Sequence, residues 1–392
     1  MSLEENQQTP VLKDKNLHII FGITLSAVMG VSSIAPALPV ISRALDVSTD
    51  QIGLLITVFA LPGILLTPFL GVLADRFGRK RILIPSLLLY GIAGSACAFT
   101  TSFDQLLWLR FLQGSGSAAL GALNITLIGD LFQGNRRATA MGYNGSVLSV
   151  GTAIYPAIGG FLAAFAWNYP FLLSALAIPV ALFAMIYLDP VPISMNLDIG
   201  EYFQKIKDRI FTRQVLSLFA CVFLTFTILY GGYITFLPIF LDEDFGLSST
   251  IIGLMLSGSS LITAITSSRL GKLTKHFSEL HLILTGAILY LFIFLSFPLI
   301  TNVWYMALPI AVFGVAQGIN IPSLLNLLTG KAPSEFRAAF LAVNWVVIRA
   351  AQTIAPFLLG IVYLYTGIRG TFFFTAGAAL LFVGIAAVSL RR

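Results

Sequence analysis

The apolar residues of this chain come in recurrent runs of about 20 or more, the length that spans the hydrocarbon of a bilayer, and this constrains the fold more than any motif does. Lipid offers the backbone no hydrogen-bond partners, so such runs form helices. Composition agrees, with 57% hydrophobic and 10% charged residues against about 25% charged in soluble domains. Mean hydropathy is +0.91. Reading the runs between charged or turn-rich breaks gives spans near 17 to 41, 51 to 74, 82 to 100, 104 to 129, 138 to 163, 168 to 188, 215 to 241, 251 to 271, 280 to 299, 302 to 328, 338 to 363 and 370 to 389. The longest break, 189 to 214, separates six spans from six.

The expected fold is an all-α membrane protein with twelve transmembrane helices in two pseudo-symmetric six-helix bundles. A tail at 1–16 precedes an N-terminal bundle at 17–188, a linker at 189–214 and a C-terminal bundle at 215–390. Positive residues resist translocation, so Lys and Arg mark the loops that stay inside. With the N-terminus inside, all but four of the 23 Lys and Arg residues fall in cytoplasmic segments. The exceptions are Arg43 and Arg369 in outer loops and Arg110 and Arg349 within spans; Asp242, Glu243 and Asp244 fall outside. The reading is a multi-pass protein of the cell inner (cytoplasmic) membrane with both termini cytoplasmic. The polar stretch from Met1 to Asn16 lacks the short apolar core of a cleavable signal, so the first run is expected to remain as a helix. In the linker, Ile199, Tyr202, Phe203, Ile206 and Ile210 recur at helical spacing with Lys205, Lys207 and Arg209 on the other sides. That pattern fits an amphipathic helix on the inner membrane surface, the alternative being a flexible linker.

The two halves align at a nearly constant shift of 200 residues. Gly71 and Leu73 match Gly271 and Leu273, Arg137 and Ala138 match Arg337 and Ala338, and Asn144, Pro156 and Gly160 match Asn344, Pro356 and Gly360. A small slip brings Gln113-Gly114 onto Gln317-Gly318. Such a repeat implies two similar bundles about a pseudo-two-fold axis along the membrane normal, with a substrate site between them near the midplane.

Three stretches carry a resemblance to a known family. Gly71-Val-Leu-Ala-Asp75-Arg76-Phe-Gly78-Arg79-Lys80-Arg81 lies between spans 2 and 3; Leu109-Arg110-Phe-Leu-Gln113-Gly114-Ser-Gly116 lies in span 4; Gly151-Thr-Ala-Ile-Tyr155-Pro156-Ala-Ile-Gly159-Gly160 lies in span 5. Together they resemble the major facilitator superfamily and, within it, the twelve-helix drug:proton antiporters. The resemblance implies a charge network of Asp75, Arg79 and Asp130 that latches the halves in the outward-facing state, with Gly71 and Gly78 shaping the loop. It should exist in one half only, because Lys275 and Gly330 stand where the first half has Asp75 and Asp130. The resemblance also implies proton coupling at Arg110, with Gln113 on the same helical face; a tie from Arg110 to carbonyls of a neighbouring helix is the alternative. The span 5 stretch is similar to the antiporter-branch motif, although that branch usually places Gly where this chain has Tyr155.

Arg349 has no counterpart in the repeat, where Ser149 stands. It lies about 12 residues beyond Arg337, near mid-membrane at about 1.5 Å per residue, with Gln352 one turn away. A charge at that depth is a functional-site hypothesis by default, and Arg349 is expected to line the cavity and contact an anionic or polar group. Gln317, Asn320, Ser323 and Asn326 form a polar stripe on span 10, and span 7 supplies Tyr230 and Tyr233; these are further candidates for the substrate cavity, interhelical hydrogen bonding being the alternative. No acidic residue falls in the central part of a span. Anionic, zwitterionic or neutral amphiphiles therefore fit better than cations.

The leading expectation is proton-coupled efflux of small organic or drug-like molecules by alternating access; uptake or facilitated exchange of a metabolite such as a sugar or organic anion is the alternative. The expected partners are a small-molecule substrate, a proton as coupling ion and the lipid bilayer, without nucleic acid, and the chain is expected to act as a monomer. No enzyme, cofactor or metal is expected: His18, His276 and His281 show no metal-ligand spacing, and Cys97 and Cys221 both sit in apolar runs.

Overall fold

The computed structural model describes residues 10–189, 212–332 and 337–389. Among the described residues there are helices and turns and no strand. Ten helical stretches form spans α1 (Lys15–Ala44), α2 (Thr49–Phe77), α3 (Arg79–Phe99), α4 (Phe103–Leu131), α5 (Gly134–Phe165), α6 (Tyr169–Tyr187), α7 (Arg213–Glu243), α8 (Ser249–Ser268), α9 (Glu279–Leu299) and α10 (Val303–Lys331). An eleventh, Arg337–Ser389, is broken at Gly367, whose φ of 67° is not helical, and so supplies α11 before the break and α12 after it. Twelve spans result. The amphipathic helix expected at 199 to 210 lies outside the described residues.

Local chemistry sets the element ends. Pro36 and Pro39 lack an N–H for the helical ladder, and α1 tightens into a 3-10 turn at Ala35–Ala37. Side chains of Asp14, Ser102, Ser278 and Asn302 accept from the otherwise unpaired first N–H groups of α1, α4, α9 and α10. The repeat is visible even in the turns. Asp46 (φ 52°) and Gly246 (φ 63°) reverse the chain at equivalent positions, and Ser48 and Ser248 follow with nearly the same backbone, φ −65° and ψ 152° against φ −67° and ψ 153°.

Within the first half α2 and α3 pack on α4, as α8 and α9 pack on α10 in the second. Between the halves α5 crosses α8 and α2 crosses α11, contacts that a two-fold axis interchanges. Each crossing is a close backbone approach. Gly253 stands against the Pro156 carbonyl and Gly160 against that of Ser249; in the mirror crossing Gly53 stands against the Pro356 carbonyl and Gly360 against that of Asp50. A Cβ at Gly53 would lie 3.2 Å from the Pro356 oxygen, and at the other three it would be closer still. In lipid, helix pairs gain little from burying apolar surface, so backbone contact at small residues is what holds them.

One face of the molecule carries Asp242, Glu243 and Asp244, and the opposite, basic face carries Arg76, Arg79, Lys80, Arg136 and Lys331. The halves meet toward the acidic face. Arg43 pairs with Asp242, Thr49 donates to Glu243 at 3.0 Å, Thr57 Oγ1 donates to the Thr353 carbonyl at 2.9 Å, and Ala157 N–H donates to Ser257 Oγ at 2.9 Å. Toward the basic face they part. A Cβ added to Gly142, Gly145 or Gly258 would meet nothing within 4 Å, and much of α5 from 142 to 150 is exposed. A crevice therefore opens toward the basic face and is blind toward the acidic one.

If the two crossings act together, Gly360→Val at one should loosen the other. A cysteine replacing the buried Ser249 should then become reactive to a membrane-impermeant maleimide, whereas it should stay protected in the otherwise native chain. Unchanged protection would mean that the crossings close independently.

Candidate functional site: the crevice and its charges

Arg110 is fully buried inside the first half. Its Nε donates to the Leu55 carbonyl of α2 at 3.1 Å, and Nη1 to the Gly30 carbonyl of α1 at 2.9 Å and to Gln113 Oε1 at 2.7 Å. The guanidinium lies over the Phe59 ring, 4.2 Å from its centroid. Gln113, also buried, passes the network on to Ser174 Oγ at 2.9 Å. The α4 backbone comes this close because Gly114 faces the Phe59 carbonyl and Gly116 the α3 backbone at Ser86 and Tyr90. Arg110 and Gln113, the expected proton-coupling or cavity pair, are buried behind the crevice wall in this conformation. Their geometry is that of a tie joining α1, α2 and α4.

Arg349 is placed differently. Its Nη1 donates to Gln352 Oε1 at 3.0 Å on its own helix, and Nη2 reaches across to Ser117 Oγ of α4 at 3.3 Å. Gly63 of α2 makes room for the stem, since a Cβ there would lie 2.9 Å from Arg349 Cδ. Tyr230 is within electrostatic reach. Half-buried, Arg349 forms the blind end of the crevice, and among the described residues no hydrogen bond or ion pair joins the halves on its basic side.

The other cavity candidates divide. Tyr230 is half-buried, while Tyr233 is buried with its ring stacked 3.8 Å from that of Phe313. Both stand in a π-helical stretch, Ile228–Phe236, where the Thr235 hydroxyl donates to the Tyr230 carbonyl at 2.6 Å. The wider turn accommodates Gly231 and Gly232 against α11 and α9, a distortion frequent at functional sites. Gln317, Asn320 and Ser323 are buried within the second half, where Gln317 accepts from the Tyr290 hydroxyl at 2.7 Å and Asn320 lies against Gly286. These three side chains thus turn toward the bundle interior, where Gly286 lets α9 approach Asn320, while Asn326 at the end of the stripe is exposed.

Near the basic face, Arg79 pairs with Asp75 at 3.0 Å and with Asp130. Gly78 turns the loop at φ 96°, and a Cβ on Gly71 would meet nothing. The network lies wholly within the first half and does not join the halves here, since their basic ends are apart. In the α5 motif, Pro156 and Gly160 form half of the α5–α8 crossing, Gly159 abuts the Ser33 carbonyl of α1, and Gly151 and the buried Tyr155 pack beside Leu25. Gly53 and Gly253, partners in the crossings, were missed in the sequence although the 200-residue shift relates them.

Two homologous six-helix halves closed around a blind, polar-ended crevice define a membrane transporter of the alternating-access class. The chain belongs to the Major Facilitator Superfamily, whose family model matches residues 20–343 and 218–392. It is 28% identical to Multidrug resistance protein 1 of Bacillus subtilis (strain 168), over 82% of this chain and 83% of that protein. It is 35% identical to the Bacillibactin exporter of the same organism, a match that covers 40% of this chain and 41% of that protein. The fold superposes on the solved structure of a bacterial homolog to the human lysosomal transporter Spinster with a TM-score of 0.81, at 17% identity over 97% of this chain and 98% of that one.

If Arg110 is a tie, Arg110→Ala leaves three buried acceptors without their donor and should lower stability by about 3 kcal/mol. Thermal unfolding in detergent reads this loss, and Arg110→Lys should restore little of it because one ammonium cannot reproduce the forked geometry. Undiminished stability in Arg110→Ala alongside abolished transport would assign the residue to the transport step instead.

Proposed function

We propose that the chain is a proton-coupled exporter of small organic molecules that works by alternating access as a monomer in the cell inner membrane, with no catalytic role. The observation that carries this reading is the single crevice between two-fold-related halves, closed on one face by the paired glycine crossings and open on the other. Similarity to a multidrug resistance protein over 82% of the chain supports export. The basic face is assigned to the cytoplasm because its Lys and Arg residues resist translocation, which makes this an inward-open conformation with the acidic face closed. Arg349, Tyr230 and Gln352 then stand where cargo from the cytoplasm would arrive. Asp75, Arg79 and Asp130 form the element that would meet the second half when the basic face closes, and Arg110 with Gln113 keeps the first half rigid while it rocks.

Everted membrane vesicles test the direction. An acidic lumen should drive accumulation of a drug-like substrate, an ionophore that collapses the proton gradient should abolish it, and Arg79→Gln should slow it about tenfold, the loss expected when a charged hydrogen-bond donor is removed. Uptake into whole cells without accumulation in everted vesicles would instead establish an importer.

A further inference from the structure

We propose that Arg349 is an anion site: it binds the negatively charged group of the transported molecule, and the anion takes the guanidinium by displacing the Ser117 hydroxyl. The inference rests on the export reading above for the word transported, but the site itself stands on the geometry of Arg349.

A guanidinium carries five N–H donors and a full charge. Among the described residues the Arg349 side chain makes two hydrogen bonds, both to neutral oxygens, and the one to Ser117 is long at 3.3 Å. Among the described residues no carboxylate pairs with it, and no acidic residue occupies the centre of any span. Arg110 is the internal comparison. It is sealed from the crevice, holds two carbonyls and a glutamine oxygen, and rests on the Phe59 ring. The fold has therefore satisfied one intramembrane arginine with fixed dipoles and left the other facing a crevice with weak partners. A charge so placed is costly unless an anion or water meets it.

The surroundings fit a particular kind of anion. Gly63 leaves the stem of Arg349 threaded between α2 and α11, so its head lies at the seam between the halves. Tyr230 and Trp345, both half-buried, present ring surface nearby, with Trp345 beside Gly121 of α4. The ligand is thus an amphiphile with one carboxylate-like group and an aromatic or aliphatic body. A planar carboxylate takes two parallel N–H donors from a guanidinium, a stronger arrangement than a single hydroxyl contact. Because Arg349 to Ser117 is also the hydrogen bond between halves nearest the crevice, the incoming anion would remove a strut as it binds. Loaded and empty states would then differ in the contact that opposes reorientation, the differential interaction that a ligand-driven switch requires.

The test uses the full chain in lipid nanodiscs and three aromatic bodies, 2-naphthyl, 4-biphenyl and 3-phenylpropyl, each presented as carboxylate, amide and ammonium. The carboxylates should raise the unfolding temperature, and their amides and ammoniums should not. Arg349→Gln keeps a hydrogen-bonding side chain toward Ser117 and should weaken the carboxylate response about tenfold or more, while Arg349→Lys should keep part of it. Ser117→Ala should bind carboxylates more tightly, because no hydroxyl has to be displaced. Stabilisation by ammoniums or amides equal to that by carboxylates, no response to any carboxylate, or a full response in Arg349→Gln with unliganded stability unchanged would overturn the anion site. Weaker carboxylate binding in Ser117→Ala would overturn the displacement. Proton-driven accumulation of a non-anionic substrate that ignores Arg349→Gln leaves export standing and removes the anion site, whereas anion binding without any accumulation in everted vesicles does the reverse.

Discussion

Helices already dissolved in lipid gain almost nothing by burying apolar side chains against one another, so the joint between the two halves depends on how closely their backbones can approach. Four glycines supply that approach, Gly53 and Gly360 at one crossing and Gly253 and Gly160 at the other, each facing a main-chain carbonyl of the opposite half. Pro156 and Pro356 supply two of those carbonyls. Contact at both crossings is confined toward the acidic face, and the crevice is simply where such contact stops. The location of the site follows from where the small residues lie, before any polar side chain is considered.

Much of this was legible in the sequence. Span lengths, the charge bias and the 200-residue shift pointed to twelve helices in two related halves, and the structure places the matched Pro156 and Pro356 at the two crossings. What could not be read was direction. Arg110 and Arg349 are both single arginines in apolar spans, each with a glutamine three residues on, and no periodicity separates a helix face turned to its own bundle from one turned to the partner half. The decision lies in residues from other spans. Gly30 and Leu55 bring carbonyls to Arg110, while Gly63 and Ser117 receive Arg349. The α10 stripe is divided in the same way, since Gly286 on α9 receives Asn320 inside the bundle while Asn326 is exposed.

The departures from symmetry sit at the polar positions. The glycine crossings exist in both halves, but Arg110 has Gly314 at the position given by the slipped alignment, and Arg349 has Ser149. The network of the first half joins Thr24, Asn124 and Asn144 across α1, α4 and α5, and among the described residues Asn124 Oδ1 and Asn344 Oδ1, one in each half, are buried without a hydrogen-bond partner. Backbone geometry was duplicated with the fold, and the charged chemistry was distributed once, one arginine to each half with different tasks.

Closing the basic face poses an electrostatic problem that the acidic face does not share. The acidic face joins opposite charges across the halves, Arg43 with Asp242. The basic ends instead bring Arg76, Arg79, Lys80 and Arg81 of the first half toward Arg269, Lys272, Lys275 and Lys331 of the second, and like charges repel over distances within the screening length of about 8 Å. Asp75 and Asp130 are carboxylates of the first half on this face, and both are engaged by Arg79. The charge of Arg79 is thus paired inside its own half while the basic ends stand apart. Asp75, more exposed than Asp130, retains oxygen free to meet a cation or a helix N-terminus from the other side. In the second copy Lys275 and Gly330 stand at the positions of Asp75 and Asp130, so this carboxylate pair belongs to the first half alone.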